Sequence, residues 1–206
     1  DASIKISRLV LRNLSSRPRQ LSVASYVEWV LGTSRSASLP FITTEIDALT
    51  GAMFARNPWN GGFGRRVAFA DWRGRQTDWT GDRREFIGRN GTLADPKGLA
   101  SGTLLSNAVG AGLDPCAALR TRVDIPANGS VELVFFLGES ETDEEARLLL
   151  AHYRVTDLDE TLARVTRQWD EVLNAVEVRT PDRSMDVMLN GWLLYQTLAC
   201  RIWARS

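Results

Sequence analysis

The sequence predicts a mainly β chain with added α structure, an antiparallel β-sandwich followed by helices. Three observations carry that expectation. Short runs of alternating apolar residues recur through the first 138 positions, turn residues separate them, and no helical period intervenes. From Gly138 onward the apolar period changes to three and four residues. Closely spaced strands without crossover helices pair antiparallel and pack as a sandwich rather than as βαβ units.

The first stretch, "IKISRLVLRNLSSRPRQLSVASYVEWVLG" from residue 4, holds two alternating runs joined by Ser-Ser-Arg-Pro at 15–18. That turn chemistry predicts an antiparallel hairpin, with Ile4, Ile6, Leu9 and Leu11 pointing inward. Further strand-like runs are "LPFITTEID" (39–47), "GAMFARN" (51–57), "RRVAFADW" (65–72), "ALRTRVDI" (118–125) and "SVELVFFLG" (130–138). Asn-Pro, Gly-Gly, Gly-Asp, Asn-Gly and Ala-Asn-Gly turns punctuate them.

In "SETDEEARLLLAHY", Thr142 stands three residues before Glu145, the spacing of a capping box, and acidic residues fill the first turn where the helix dipole favours them. Leu158, Leu162, Val165, Trp169, Val172 and Val176 then recur at helical spacing and predict a second, amphipathic helix. Thr180 followed by Pro181 reads as the N-cap and first position of a terminal helix. Its sequence, "MLNGWLLYQTLACRIWARS", places Met188, Trp192, Tyr195, Ala199, Ile202 and Trp203 on one face. Leu189, Leu193, Leu194 and Leu198 widen that face until the helix is apolar on most sides. Such a helix needs protein around it, so either the preceding residues of the chain bury it or the chain is a piece of a longer protein, the reading that a start directly in a strand favours.

A chain of 206 residues, 44% hydrophobic, can build one sizeable core or a core with a small appendage. Lys plus Arg equals Asp plus Glu at 25 each, which removes the basic footprint of a nucleic-acid binder and of a polybasic membrane patch. Asn190, Gln196 and Arg201 interrupt the terminal apolar stretch and argue against a membrane span. Cys116 and Cys200 lack metal-ligand spacing or neighbouring histidines, so neither a zinc site nor a disulfide framework is indicated and a reducing compartment fits.

Catalytic candidates are few. His152 is the sole histidine and reads as a surface or interface residue on a helix. "NGGFGRR" at 60–66 is glycine-rich and basic but lacks the Lys-Ser/Thr of a phosphate loop, so a hairpin turn is expected. Asp82 and Glu85 tempt as a glycosidase pair, yet three residues apart in an extended segment they point to opposite faces, with Arg83 and Arg84 as salt-bridge partners. Trp59, Trp72 and Trp79 offer aromatic faces for sugar stacking, with core packing the expectation for most tryptophans.

The runs "SVASYVEWVLG" (22–32), "GDRREFIGRNGTLADPKGL" (81–99), "GAGLDPCAALRTRVDIPANGSVELVFFLGE" (110–139) and "LNGWLLYQTLACRIWARS" (189–206) resemble glycoside hydrolase family 94. This family of inverting phosphorylases of β-linked saccharides includes the C-terminal region of cyclic β-1,2-glucan synthetases, the branch that "LYQTLACRIWARS" looks most like. The resemblance implies a partial β-sandwich over 1–139, a helical linker over 140–179, and over 180–206 the first helix of a truncated (α/α)6 catalytic barrel. It further implies that the general-acid Asp and the phosphate-binding groups lie in the rest of the barrel, so that no catalytic residue is expected here. Arg205 matches the family position that contacts the sugar on the non-reducing side of the cleaved bond. The segment Pro40 to Thr43 matches a sandwich loop that approaches the active site of the partner in a dimer, with Ile42 where some phosphorylases carry a polar residue.

The function implied is that of a non-catalytic piece of an enzyme that phosphorolyses β-linked glucans. Inorganic phosphate is then a co-substrate, no cofactor is needed, and the piece itself makes no membrane contact although its parent sits on the cytoplasmic side of an inner membrane. A β-glucan oligosaccharide in the parent and a second copy of the chain, held through the terminal helix, are the implied partners. Two alternatives stay open: a piece of a stand-alone cellobiose- or chitobiose-type or β-1,2-oligoglucan phosphorylase, and a carbohydrate-binding or dimerisation module without chemistry.

Overall fold

The computed structural model describes residues 2–203, with side chains through residue 200. Two compact units divide the chain between residues 154 and 155. The first is a two-layer antiparallel sandwich, and helices follow it, as the sequence predicts.

Eight strands run in chain order: β1 (Ile4–Arg12), β2 (Arg19–Glu28), β3 (Thr43–Ile46), β4 (Met53–Arg56), β5 (Val67–Asp71), β6 (Asp78–Asp82), β7 (Pro115–Ile125) and β8 (Ser130–Ser140). One sheet has the order β1-β8-β5-β4-β3 and the other β2-β7-β6. Between their facing sides lie Trp29, Ile42, Met53, Ala55, Trp72, Leu119 and neighbours, a buried apolar core drawn from both sheets. This is the burial that turns alternating sequence into a sandwich.

β1 and β2 do not form the expected hairpin. β1 pairs with β8 from Ile4↔Gly138 to Arg12↔Ser130, whereas β2 pairs with β7 from Arg19↔Ile125 to Glu28↔Cys116. The chain therefore crosses from one sheet to the other at 13–18, and crosses back at 126–129. Asn13, buried, welds the two crossings: its Nδ2 donates to Arg17 O at 2.8 Å, Pro126 O at 2.9 Å and Ile125 O at 3.3 Å. Backbone bonds Asn13 N–H to Gly129 O (2.9 Å) and Asn128 N–H to Ser15 O (3.1 Å) complete the corner.

The unbroken β1–β8 register also corrects the inward set. Leu11 packs on the core and Leu9 shares its face at 39% exposure, while Ile4 and Ile6 lie on the opposite, outer face. That outer face is apolar too, because Phe54, Phe69 and Phe136 on it are fully buried. α3 (Asp143–Val155) accounts for this second buried layer: Asp143 pairs with Arg56 at 2.6 Å, and Arg154 forks onto Asp71 at 2.9 and 3.0 Å. Its Ala146 and Leu150 are completely buried. The capping box forms in part, with Thr142 Oγ1 accepting from Glu145 N–H at 3.2 Å, while Glu145 accepts from Glu141 N–H rather than from Thr142.

The outer face of the three-stranded sheet is covered by residues 83–105. Within them α2 (Arg83–Phe86) presents Phe86, whose ring stacks on Tyr26 at 5.5 Å, and Leu105 packs with Cys116 and Ala118. A small helical turn, α1 (Arg35–Ser38), continues through a 3-10 turn at Leu39–Phe41 into β3.

In the second unit α4 (Leu158–Leu173) is capped by Asp157, whose carboxylate accepts from the N–H groups of Asp159 (2.8 Å) and Glu160 (3.2 Å). The terminal helix runs through α5 (Arg183–Val187), a π segment, α6 (Leu193–Thr197) and a second π segment at Leu198–Trp203. Its cap is Asp182, which accepts from Ser184 N–H at 2.9 Å, not the expected Thr180. Thr180 is already committed, because its N–H (2.7 Å) and hydroxyl (2.8 Å) both reach the carboxylate of Asp186. Asn190, which interrupts the apolar run, holds both backbone groups of Val178 at 2.7 Å.

Candidate functional site

The buried carboxylates are each committed to an arginine. Asp78 accepts from Arg120 Nε at 3.0 Å and from Arg120 Nη2, from Leu105 N–H at 3.0 Å and from the Thr77 hydroxyl at 3.0 Å. Burial pushes its carboxyl up, but these hydrogen bonds and the guanidinium charge outweigh burial and hold it below the usual Asp range. Asp47 is likewise lowered, burial being outweighed by Arg147 (2.8 Å) and by the hydroxyl and N–H of Thr50. Groups held ionised in this way cannot serve as the protonated acid of glycoside chemistry.

Asp82 and Glu85 do not share one extended segment as the sequence suggests, since Asp82 ends β6 and caps α2, which holds Glu85, by accepting from Arg84 N–H at 2.9 Å. The structure gives them separate duties. Glu85 receives the Thr80 hydroxyl (2.6 Å) and both the N–H and hydroxyl of Ser106 (2.7 Å each), tying strand to loop. His152 is exposed, edge-on to Tyr153 at 4.9 Å. Burial pushes the Cys116 thiol far above its ordinary range, so it is inert. No group of three or more potential metal ligands occurs among the described residues. Arg205 lies outside the described residues.

Residues 57–66 form the expected turn between the paired strands β4 and β5. Its shape is set by two asparagines. Asn57 and Asn60 donate their Nδ2 to Leu31 O at 2.9 and 3.4 Å, and Asn60 Oδ1 accepts from the N–H groups of Gly62 and Phe63 at 3.2 Å. Gly64 is required there, because a Cβ would meet Asn60 O at 2.7 Å and Pro58 O at 2.9 Å.

This turn makes one wall of a cleft of about 470 Å³, whose other wall is Leu31–Thr33 and whose floor is Val67 and Ala68. At its edge Arg66 and Glu139 form a two-pronged ion pair, Nε to Oε2 at 2.6 Å and Nη2 to Oε1 at 2.9 Å. Phe63 lines the cleft at 60% exposure. Trp59 projects from the same turn at 74% exposure, one ring face stacked on Phe41 at 5.2 Å and 11°.

Of the tryptophans weighed for sugar contact, only Trp59 is exposed. Trp72 is buried and donates to Leu119 O at 2.9 Å, and Trp79 packs against the core. In the Pro40–Thr43 segment Ile42 is 1% exposed and belongs to the core, which leaves Pro40 and Phe41 as the accessible residues. Phe63, Arg66 and Glu139 were not legible as a group, because Arg66 and Glu139, 73 positions apart, meet only through the β5–β8 pairing. The aromatic residue set among glycines in "NGGFGRR" is the one local sign.

Residues 1–156 match the Glycosyl hydrolase 94 supersandwich domain, and residues 168–206 match the Glycosyl hydrolase 94 superfamily catalytic domain. The chain is similar to the cyclic beta-(1,2)-glucan synthase NdvB of Rhizobium meliloti (strain 1021), 38% identical over 202 residues that cover 98% of this chain and 7% of that protein. It is similar to the N,N'-diacetylchitobiose phosphorylase of Vibrio furnissii, 25% identical over 95% of this chain and 25% of that protein. The corresponding Vibrio proteolyticus phosphorylase is 27% identical over 62% of this chain and 16% of its own length. The chain thus spans a quarter or less of each relative. Since the supersandwich match coincides with the two-sheet unit and its α3 cover, this chain belongs to the glycosyl hydrolase 94 family.

Proposed function

We propose that this chain is a non-catalytic part of an enzyme that phosphorolyses β-linked glucans in the synthesis and length control of cyclic β-1,2-glucan. The observation that carries the reading is the 38% identity to the glucan synthase along nearly the whole chain, against 25% to the Vibrio furnissii phosphorylase. In the whole enzyme, phosphate attacks the anomeric carbon and a carboxylic acid protonates the departing oxygen, releasing glucose 1-phosphate. The arginine-bound state of Asp47 and Asp78 supports a division of labour in which that acid lies elsewhere in the parent.

Arg205 is the sugar ligand proposed for this chain, since a planar guanidinium suits paired hydroxyl acceptors. Inorganic phosphate is the co-substrate of the parent, which needs no cofactor for this step. The parent is placed on the cytoplasmic side of an inner membrane; none of the described helices is long and apolar enough to cross one. A second copy of the chain, meeting the apolar terminal helix, is the proposed protein partner.

The test is phosphate-dependent release of glucose 1-phosphate from β-1,2-glucan, assayed with this chain and with the full-length parent. The parent should release it and the chain alone should not. Robust release by the isolated chain would overturn the reading. Activity of the parent on N,N'-diacetylchitobiose instead would favour a stand-alone phosphorylase, the reading that the Vibrio furnissii match over 95% of the chain supports.

A further inference from the structure

We infer that the cleft between Leu31–Thr33 and the 57–66 turn is a second saccharide site, one that binds neutral sugar without acting on it. Its size lies in the range of small-ligand pockets, about 300–1,000 Å³. The chemistry of its edge decides the class of ligand. Arg66 and Glu139 cancel in charge, so the edge does not select an anion. Side by side they still present outward N–H donors and carboxylate acceptors, with both side chains partly exposed at 34% and 43%. Adjacent hydroxyls of a sugar, each both donor and acceptor, match that arrangement.

The apolar part of the site has the same bias. Within residues 2–154 the exposed phenylalanine, tyrosine and tryptophan side chains are Phe41, Trp59 and Phe63, which lie on the 57–66 turn or stack against it. Phe63 lines the cleft itself, and Trp59, on the same turn beside the cleft, is stacked on Phe41 and remains largely exposed. Exposed aromatic rings suit the C–H face of a pyranose, and the Arg66–Glu139 pair lining the same cleft as Phe63 suits its hydroxyls. The turn that carries them is held by the Asn57 and Asn60 bonds to Leu31 O, so little order has to be gained on binding.

That the saccharide is a β-glucan rests on the functional reading above; that it is a neutral saccharide rests on the cleft alone. In the parent such a site would hold a long glucan on the sandwich while its end is processed elsewhere.

The test uses the 206-residue chain with β-1,2-linked glucotetraose, cellotetraose, maltotetraose and N,N'-diacetylchitobiose, followed by calorimetry and tryptophan fluorescence. Saturable binding is expected for at least one of them, most tightly for the β-1,2 oligomer. Trp59→Ala and Phe63→Ala should each weaken it roughly two- to tenfold, and Trp59→Phe should retain most of it. Arg66→Ala should weaken it by about tenfold or more, with circular dichroism unchanged. Failure of all four saccharides to bind, or binding indifferent to Trp59, Phe63 and Arg66, would sink the inference whatever the parent's activity proves to be. Tighter binding of a different saccharide, still dependent on those residues, would uphold the cleft and count against the β-1,2 reading. Light scattering completes the test: self-association abolished by Trp59→Ala, without sugar binding, would reassign the aromatic rim to a protein interface.

Discussion

Asp78 and Arg120 form the most enclosed ion pair of the sandwich, with side chains 8% and 4% exposed. Removing the carboxylate leaves Arg120 buried beside Thr103 O and without a counter-charge, so Asp78→Ala should cost about 3–5 kcal/mol in chemical denaturation. The same pair sets an acid limit. Because the folded pKa of Asp78 is lowered, its stabilisation is present above the unfolded value of about 3.9 and is lost as pH falls through the folded value. Asp47 acts in the same direction. The unfolding midpoint should therefore drop below about pH 4, and drop less steeply in Asp47→Asn; equal slopes would remove Asp47 from the account. Gly138 is a different kind of constraint, since a Cβ there would strike the Phe69 ring and come within 2.6 Å of Ser3 O. Gly138→Ala should cost about 1–3 kcal/mol by overpacking, read as a lowered Tm. In the full-length parent, Arg205→Ala should lower kcat/KM for phosphorolysis roughly tenfold to a hundredfold with Tm unchanged, Arg201→Ala being the milder control. A large fall in Tm for Arg205→Ala would make that residue structural.

At the scale of elements, local pattern and long-range pairing part company at the first turn. Ser-Ser-Arg-Pro is as good a turn between two sheets as within one, so most strands were legible in the alternation while strand partners were not, and β6 (Asp78–Asp82) was missed because DWTGD shows no apolar alternation. What selects the crossing is Asn13, whose acceptors Ile125 and Pro126 lie more than a hundred residues away. Asn13→Asp should then be harmful despite its small change in shape, because it replaces a donor with an anion facing three carbonyls. A loss of about 1–3 kcal/mol in urea unfolding is expected, and a neutral Asn13→Asp would mean that the corner is held by the backbone alone. The helix starts teach a related lesson. Thr142 was readable because Glu145 follows at the right distance, whereas Thr180-Pro181 imitates a cap that Asp182 provides. α2 escaped because four residues are too few to show a helical period.

At the scale of the molecule, the sandwich satisfies itself and the second unit does not. Both outer faces of the sandwich are covered from within the first unit, one by α3 and the other by residues 83–105. In the second unit Leu162, Val165 and Val172 of α4 are exposed, as are Met185, Val187, Trp192, Leu193 and Tyr195 of the terminal helix. The aromatic contacts Trp169–Tyr195 (5.8 Å) and Trp192–Tyr195 (6.2 Å) cover only part of that surface. The sequence showed a helix in want of cover, but the cleft at the other unit was hidden because exposure follows from pairing rather than from composition. Each 100 Å² of apolar surface removed from water favours association by about 2.5 kcal/mol, so a row of such side chains is enough to drive self-association at ordinary protein concentrations. Removing residues 183–206 should therefore convert a self-associating chain into a monodisperse one in light scattering. The β signal in circular dichroism should survive, because the sandwich core is built from residues before 154. Loss of that signal would make the terminal helix part of the sandwich fold, whereas persistent association would shift the sticky surface to the apolar face of α4, where Leu162→Lys with Val165→Lys becomes the decisive pair.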